Sequence, residues 1–89
     1  MINIKNIKIR IKDKEESIKV QTQLFKMGCV WNGDKSINIQ YTDVNFLFCD
    51  NNFYITFTTM EEFFNEDKNR EIKVEDLFKH NTLKGLLED

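Results

Sequence analysis

The chain reads as an α+β domain, a two-layer arrangement of an antiparallel sheet of about four or five strands with one main helix and one or two short C-terminal helices. Three observations predict it. The stretch Ile7-Lys8-Ile9-Arg10-Ile11-Lys12 alternates strictly between apolar and basic residues. A single apolar stripe of helical period follows, with clear start and stop signals. The middle of the chain is then a series of short β-branched and aromatic segments separated by Asn, Asp and Gly. Eighty-nine residues suit one compact domain over 1–89 and are too few for two independent cores. With 40% hydrophobic and 31% charged residues, the balance is that of a folded chain. Eight Phe, two Tyr and one Trp supply large buried surfaces from few positions.

The first strand is expected to begin near Ile7, because Asn6 interrupts the alternation set up by Ile2 and Ile4. Its polar face carries Lys8, Arg10 and Lys12. Asp13 followed by Glu16 is a capping-box signal, in which the Asp oxygen accepts from an orphan amide and Glu16 reaches back. Val20, Leu24 and Met27 form the stripe of the main helix, Ile18 and Phe25 widen it, and Gly28 ends it by accepting a left-handed conformation.

Cys29-Val30-Trp31 predicts a short strand, Asn32-Gly33-Asp34 a turn in which Asn and Gly tolerate positive φ, and Ile37, Ile39 and Tyr41 the next strand. Phe46–Cys49 and Phe53–Phe57 flank Asp50-Asn51-Asn52 and predict a hairpin, giving a meander of three or four strands. Thr59 and Glu62 repeat the capping-box signal ahead of a short helix from about Met60 to Glu66. Ile72-Lys73-Val74 predicts an edge strand, and Leu77-Phe78 a final helical turn. Beyond His80, residues 81–89 are expected either to fray or to dock on a partner through Leu83, Leu86 and Leu87.

No long apolar run is present at the start or elsewhere, so neither a signal peptide nor a membrane span is expected, and a cytoplasmic setting is the default. Cys29 and Cys49 could pair with each other, but they are not closely spaced and both fall in apolar strand-like contexts, so two reduced, packed thiols are the better reading. With His80 the only histidine, their spacing builds no zinc site. No P-loop, dinucleotide fingerprint, metalloprotease motif or nucleophile elbow is present, and the paired acids sit where helix starts already explain them. Neither an enzyme nor a cofactor is therefore expected.

Charge is divided unevenly. Residues 1–42 hold eight basic and four acidic residues, and 43–89 hold five and eleven, so a net charge of −2 conceals halves of about +4 and −6. The basic half offers Lys8, Arg10 and Lys35 to phosphate. The acidic half offers Glu61, Glu62, Glu66 and Asp67 to a basic protein surface. Ordinary solvation of a strand and of helix starts explains the same residues without a ligand.

Trp31, beside the Asn-Gly turn, is the best local candidate for recognition, with packing over the main helix as the simpler reading. Tyr41, Tyr54 and Phe53 form a stacking platform if they face outward. Phe46 and Phe48 alternate with Leu47 and Cys49, so that strand is apolar on both faces. One face wants a helix and the other a further element or a second subunit, which favours a homodimer.

The alternating first strand, Lys14-Glu15-Glu16-Ser17, Gln23-Leu24-Phe25-Lys26-Met27-Gly28, Trp31, Phe46-Leu47-Phe48 and Glu71-Ile72-Lys73-Val74-Glu75-Asp76-Leu77-Phe78 together resemble a group of small bacteriophage and prophage accessory proteins. The likeness spans about residues 7–79 and is positional, with no catalytic signature. It implies a protein expressed in a bacterial cytoplasm and directed at a host process or defence system, and it assigns no functional residue. Two function classes follow. The first is a non-catalytic modulator or inhibitor of a bacterial host protein, acting through Trp31, Glu61, Glu62, Glu66 and Asp67. The alternative is a nucleotide- or nucleic-acid-binding module using Lys8, Arg10, Lys35, Trp31 and Tyr41.

Overall fold

A computed structural model describes residues 3–78; His80 and the tail over 81–89 lie outside the described residues. The elements in order are β1 (Ile7–Arg10), α1 (Lys14–Lys26), β2 (Val30–Trp31), β3 (Phe46–Cys49), β4 (Tyr54–Thr58), α2 (Glu61–Glu66) and β5 (Arg70–Ile72). A further helical stretch covers 74–78. Over the described residues this is the α+β layout expected, with five strands, one long helix and short C-terminal helices.

The sheet order is β2-β4-β3-β1-β5. Its centre is antiparallel: Ile7 lies opposite Cys49 and Arg10 opposite Phe46, while Phe46 lies opposite Thr58 and Cys49 opposite Ile55. Both edges differ from the antiparallel expectation, since β2 runs parallel to β4 and β5 parallel to β1. The reason is connectivity. Each edge strand is reached through a helix, and a helical crossover brings the chain back in its original direction, as a tight hairpin does not. The β1–α1–β2 and β4–α2–β5 crossovers run toward opposite edges. Connections of one hand then place their helices on opposite faces of the sheet.

The packing follows that rule. On one face Val20 and Leu24 of α1 pack with Ile7, Ile9, Leu47, Ile55 and Trp31, joined by Leu77 from the last helical stretch. On the other, Phe64 of α2 packs with Phe46 and Phe48, its ring stacked on Phe46 at 4.7 Å between centroids. The second cover that the two-sided apolar strand required thus comes from the chain's own α2. Burying Phe46 and Phe48 does not require a second subunit.

Helix α1 has the predicted ends. Asp13 accepts from the Glu16 N–H at 2.8 Å, and Glu16 reaches back to the Lys12 N–H at 2.9 Å. At the other end Gly28 has φ 101°, its N–H donates to Phe25 O and the Cys29 N–H donates to Leu24 O. Those two bonds satisfy the last carbonyls as a Schellman motif. Ile18 does not widen the buried stripe. It faces out, and Ser17, Gln21 and Gln23 are buried beside Val20 and Leu24 instead.

Four further expectations are corrected. Residues 32–45 contain no strand, so Ile37, Ile39 and Tyr41 do not join the sheet. The Asn32-Gly33 pair is a turn without positive φ; the left-handed residues of this segment are Lys35 and Tyr41, at φ 55° and 52°. Helix α2 begins after Met60 with no side-chain cap, because its N-cap position falls on Met60, whose side chain has no capping oxygen, and not on Thr59. Strand β5 ends at Ile72, because Asp76 accepts the Lys73 N–H at 3.2 Å and commits Lys73 to starting a helix.

Candidate functional site

The basic face of β1 is turned inward at Lys8 and stays exposed at Arg10. Residues 8 and 10 share the face that α2 covers, and Lys8 is only 6% exposed. Its Nζ donates to Phe64 O and, at 2.9 Å, to Asp67 O, and lies 4.7 Å from the Phe64 ring centroid. Phe64 O is among the carbonyls left without an N–H partner at the end of so short a helix. The ammonium supplies donors there and a positive charge where the helix dipole is negative. Lys8 therefore does not project from a polar face, as the alternation implied, but caps the end of α2.

Arg10 joins the two charged halves of the chain. Its guanidinium lies 3.4 Å from Glu61 Oε2, 3.9 Å from Glu71 Oε2 and 3.4 Å from Asn65 Oδ1, and over the rings of Phe46 and Phe64. These ion pairs are exposed and each adds only about 0–1 kcal/mol. Their consequence for recognition is larger. The strand cation proposed for phosphate and the helix acid proposed for a basic partner face one another. Of the other acids, Glu62 and Glu66 are exposed, while Asp67 accepts the Asn69 N–H at 2.7 Å and holds Lys8 through its carbonyl.

The residues that do gather at the surface lie at the β2–β4 edge. Trp31 is buried, its indole N–H donating to Asn38 O at 3.1 Å. Tyr41 stands edge-on to it at 5.3 Å and Phe57 at 6.5 Å, and Tyr41 and Phe57 stack on each other at 4.4 Å. Tyr41 is 48% exposed, Phe57 39% and Ile37, in the same loop, 63%. Ile39 is exposed as well. Trp31 is thus a floor beneath the aromatic pair and not a projecting anchor. Lys35 lies apart, its Nζ 5.2 Å from the Tyr54 ring centroid.

Gln21 explains why this loop is held and why it is not a strand. Its buried side-chain amide donates to Gln40 O at 2.6 Å and accepts the Gln40 N–H at 2.9 Å. A helix side chain thereby takes both backbone groups that a neighbouring strand would use. The Trp31 N–H donates to Ser36 O, closing the outer edge of β2 with the loop's own backbone. Hydrogen bonds from the Ser36 hydroxyl and backbone N–H, with a lesser one from the Gln40 amide, hold the exposed Asp34 carboxyl below its ordinary range.

Sequence reasoning found Trp31 and Tyr41 but missed Phe57, Ile37 and Ile39, which alternation assigned to strands. One signal was available. Gln21 lies between Val20 and Leu24 on the apolar stripe of α1, and a buried amide there demands a polar partner from outside the helix. Among the described residues no cluster of three or more His, Cys, Asp and Glu side chains is placed to hold a metal ion, and no helix is long and apolar enough to cross a membrane. No family model, curated protein or solved structure matches the chain.

Proposed function

We propose that the chain is a non-catalytic protein-binding module whose contact surface is the Tyr41–Phe57 pair with Ile37 and Ile39, built on Trp31. The observation that carries this reading is a set of exposed large apolar groups, Phe57 on β4 and the others on a loop tied down by Gln21 and by the Trp31 indole. Apolar groups held in place lose little further entropy on binding, and an aromatic pair over a packed floor is the kind of site where binding energy concentrates. The acidic surface offered by Glu62 and Glu66 lies on α2, which covers the other face of the sheet, and in this reading it is not part of the contact.

The phage accessory resemblance makes a bacterial host protein the first partner class to test. The nucleic-acid reading is less favoured, because it needs Lys8 and Arg10, and those two groups are engaged with α2 and β5.

The test is capture of a bacterial partner by the full chain, with nuclease treatment and salt high enough to screen surface charge. A stoichiometric protein complex is expected to survive both. It should weaken by at least about thirty-fold in the Tyr41→Ala/Phe57→Ala double variant, corresponding to about 2 kcal/mol, and persist in Glu61→Gln/Glu62→Gln. Binding that ignores the aromatic substitutions and vanishes with nuclease or salt overturns the proposal in favour of a nucleic acid.

A further inference from the structure

The cysteines are the nucleophilic groups that the proposed recognition surface leaves unused. Cys29 lies between the Gly28 cap of α1 and the first residue of β2, and Cys49 is the last residue of β3. Both thiols are free and buried in the apolar cluster on the α1 side of the sheet. Their Sγ atoms are 3.2 Å apart. Two residues that the sequence reading favoured as separately packed thiols are thus in direct S–H···S contact. A disulfide bond of about 2.05 Å asks the sulfurs to approach by a further ~1.2 Å.

We propose that Cys29 and Cys49 form a redox modification site, closing to an intramolecular disulfide when a hydroperoxide reaches the pair. In the first step the Cys29 sulfur attacks one peroxide oxygen. The O–O bond breaks, the departing hydroxide takes up the thiol proton as water, and Cys29 becomes a sulfenic acid. In the second step the Cys49 sulfur attacks the Cys29 sulfur, the S–O bond breaks and a second water leaves with the Cys49 proton. Two thiols lose two electrons, and one hydrogen peroxide becomes two waters.

Burial makes the site conditional. The contact with Cys29, followed by desolvation, pushes the Cys49 thiol well above its ordinary range, so little thiolate exists while the pair is enclosed. The way in is the edge of the sheet. Strand β2 is two residues long and pairs only with β4, so opening it costs less than opening the centre. Closure ties β2, and with it the Trp31 floor of the aromatic face, to the central strand β3.

The experiment exposes the reduced full chain to hydrogen peroxide, alkylates it under denaturing conditions, and measures intact mass and thermal unfolding. The expected product is a monomer lighter by two hydrogens, with neither cysteine alkylated. Its melting temperature should be higher by roughly 10–20 °C, as for closing a loop of about twenty residues, with mass and melting both restored by a dithiol. Cys49→Ser should gain one oxygen at Cys29 and show no such rise. The proposal is overturned if both cysteines of the treated wild type remain alkylatable, if the cross-link joins two chains, or if the oxidised monomer melts no higher than the reduced one.

Discussion

Replacing Lys8 with methionine keeps the aliphatic stem between β1 and α2 and removes the ammonium alone. The change deletes two charge-assisted hydrogen bonds, to Phe64 O and Asp67 O, and a cation–π contact with Phe64. A hydrogen bond to a charged group is worth about 1.5–3 kcal/mol, and a buried carbonyl left without a partner costs about 1–3 kcal/mol. Against this stands the desolvation of the ammonium, which the variant no longer bears. The balance is a loss of about 2–4 kcal/mol, with no discount for screening because Lys8 is only 6% exposed. For a domain of this size that lowers the melting temperature by roughly 10–20 °C. Urea unfolding followed by far-ultraviolet circular dichroism measures the loss directly. A loss below about 0.5 kcal/mol, the range of a neutral surface substitution, would refute a buried cap on α2 and return Lys8 to the solvent face. If the ammonium serves phosphate instead, the variant keeps its stability and loses salt-dependent binding to oligonucleotides.

The remaining predictions concern the loop and the helix end. Gln21→Leu removes both hydrogen bonds to Gln40 and should cost about 2–3 kcal/mol, with a red shift of Trp31 emission as the loop over residues 32–45 loosens; an unshifted spectrum at full stability counts against the clamp. Gly28→Ala meets no atom within 4 Å but must hold φ near 101°, so a loss of about 1–2 kcal/mol in urea unfolding is expected from backbone strain alone. A neutral result there would mean that the end of α1 relaxes. The Tyr41→Ala/Phe57→Ala variant should stay within about 1 kcal/mol of wild-type stability, since both rings are substantially exposed, while its partner binding falls.

Local rules determined much of the fold. Asp13, Glu16 and Gly28 set the limits of α1 because their effects act within one helical turn of the backbone. Phe46–Cys49 and the Asp50-Asn51-Asn52 turn defined the β3–β4 hairpin for a similar reason. Asp50 accepts the N–H groups of Asn52 and Tyr54, and every partner lies within four residues. The α+β class, the single long helix and the two-sided burial of β3 were likewise legible in the sequence, because alternation and helical period report directly on which positions meet apolar surroundings.

Tertiary structure decided the rest. Alternation at Lys8 and Arg10 distinguished one face of β1 from the other, but a period of two carries no information on whether water or a helix lies across the polar positions. Only the β4–α2–β5 crossover placed α2 there, burying Lys8 and pairing Arg10 with Glu61 and Glu71. The opposite charges of the two halves of the sequence met at that point, and the candidate sites drawn from them met with them. Similarly, Ile37-Asn38-Ile39-Gln40-Tyr41 has a strand's pattern, and its backbone at Gln40 was claimed by Gln21, nineteen residues away. That exchange of a strand for a side-chain clamp leaves Ile37 and Ile39 exposed on the loop that carries Tyr41. It is a long-range contact, and no local propensity encodes it.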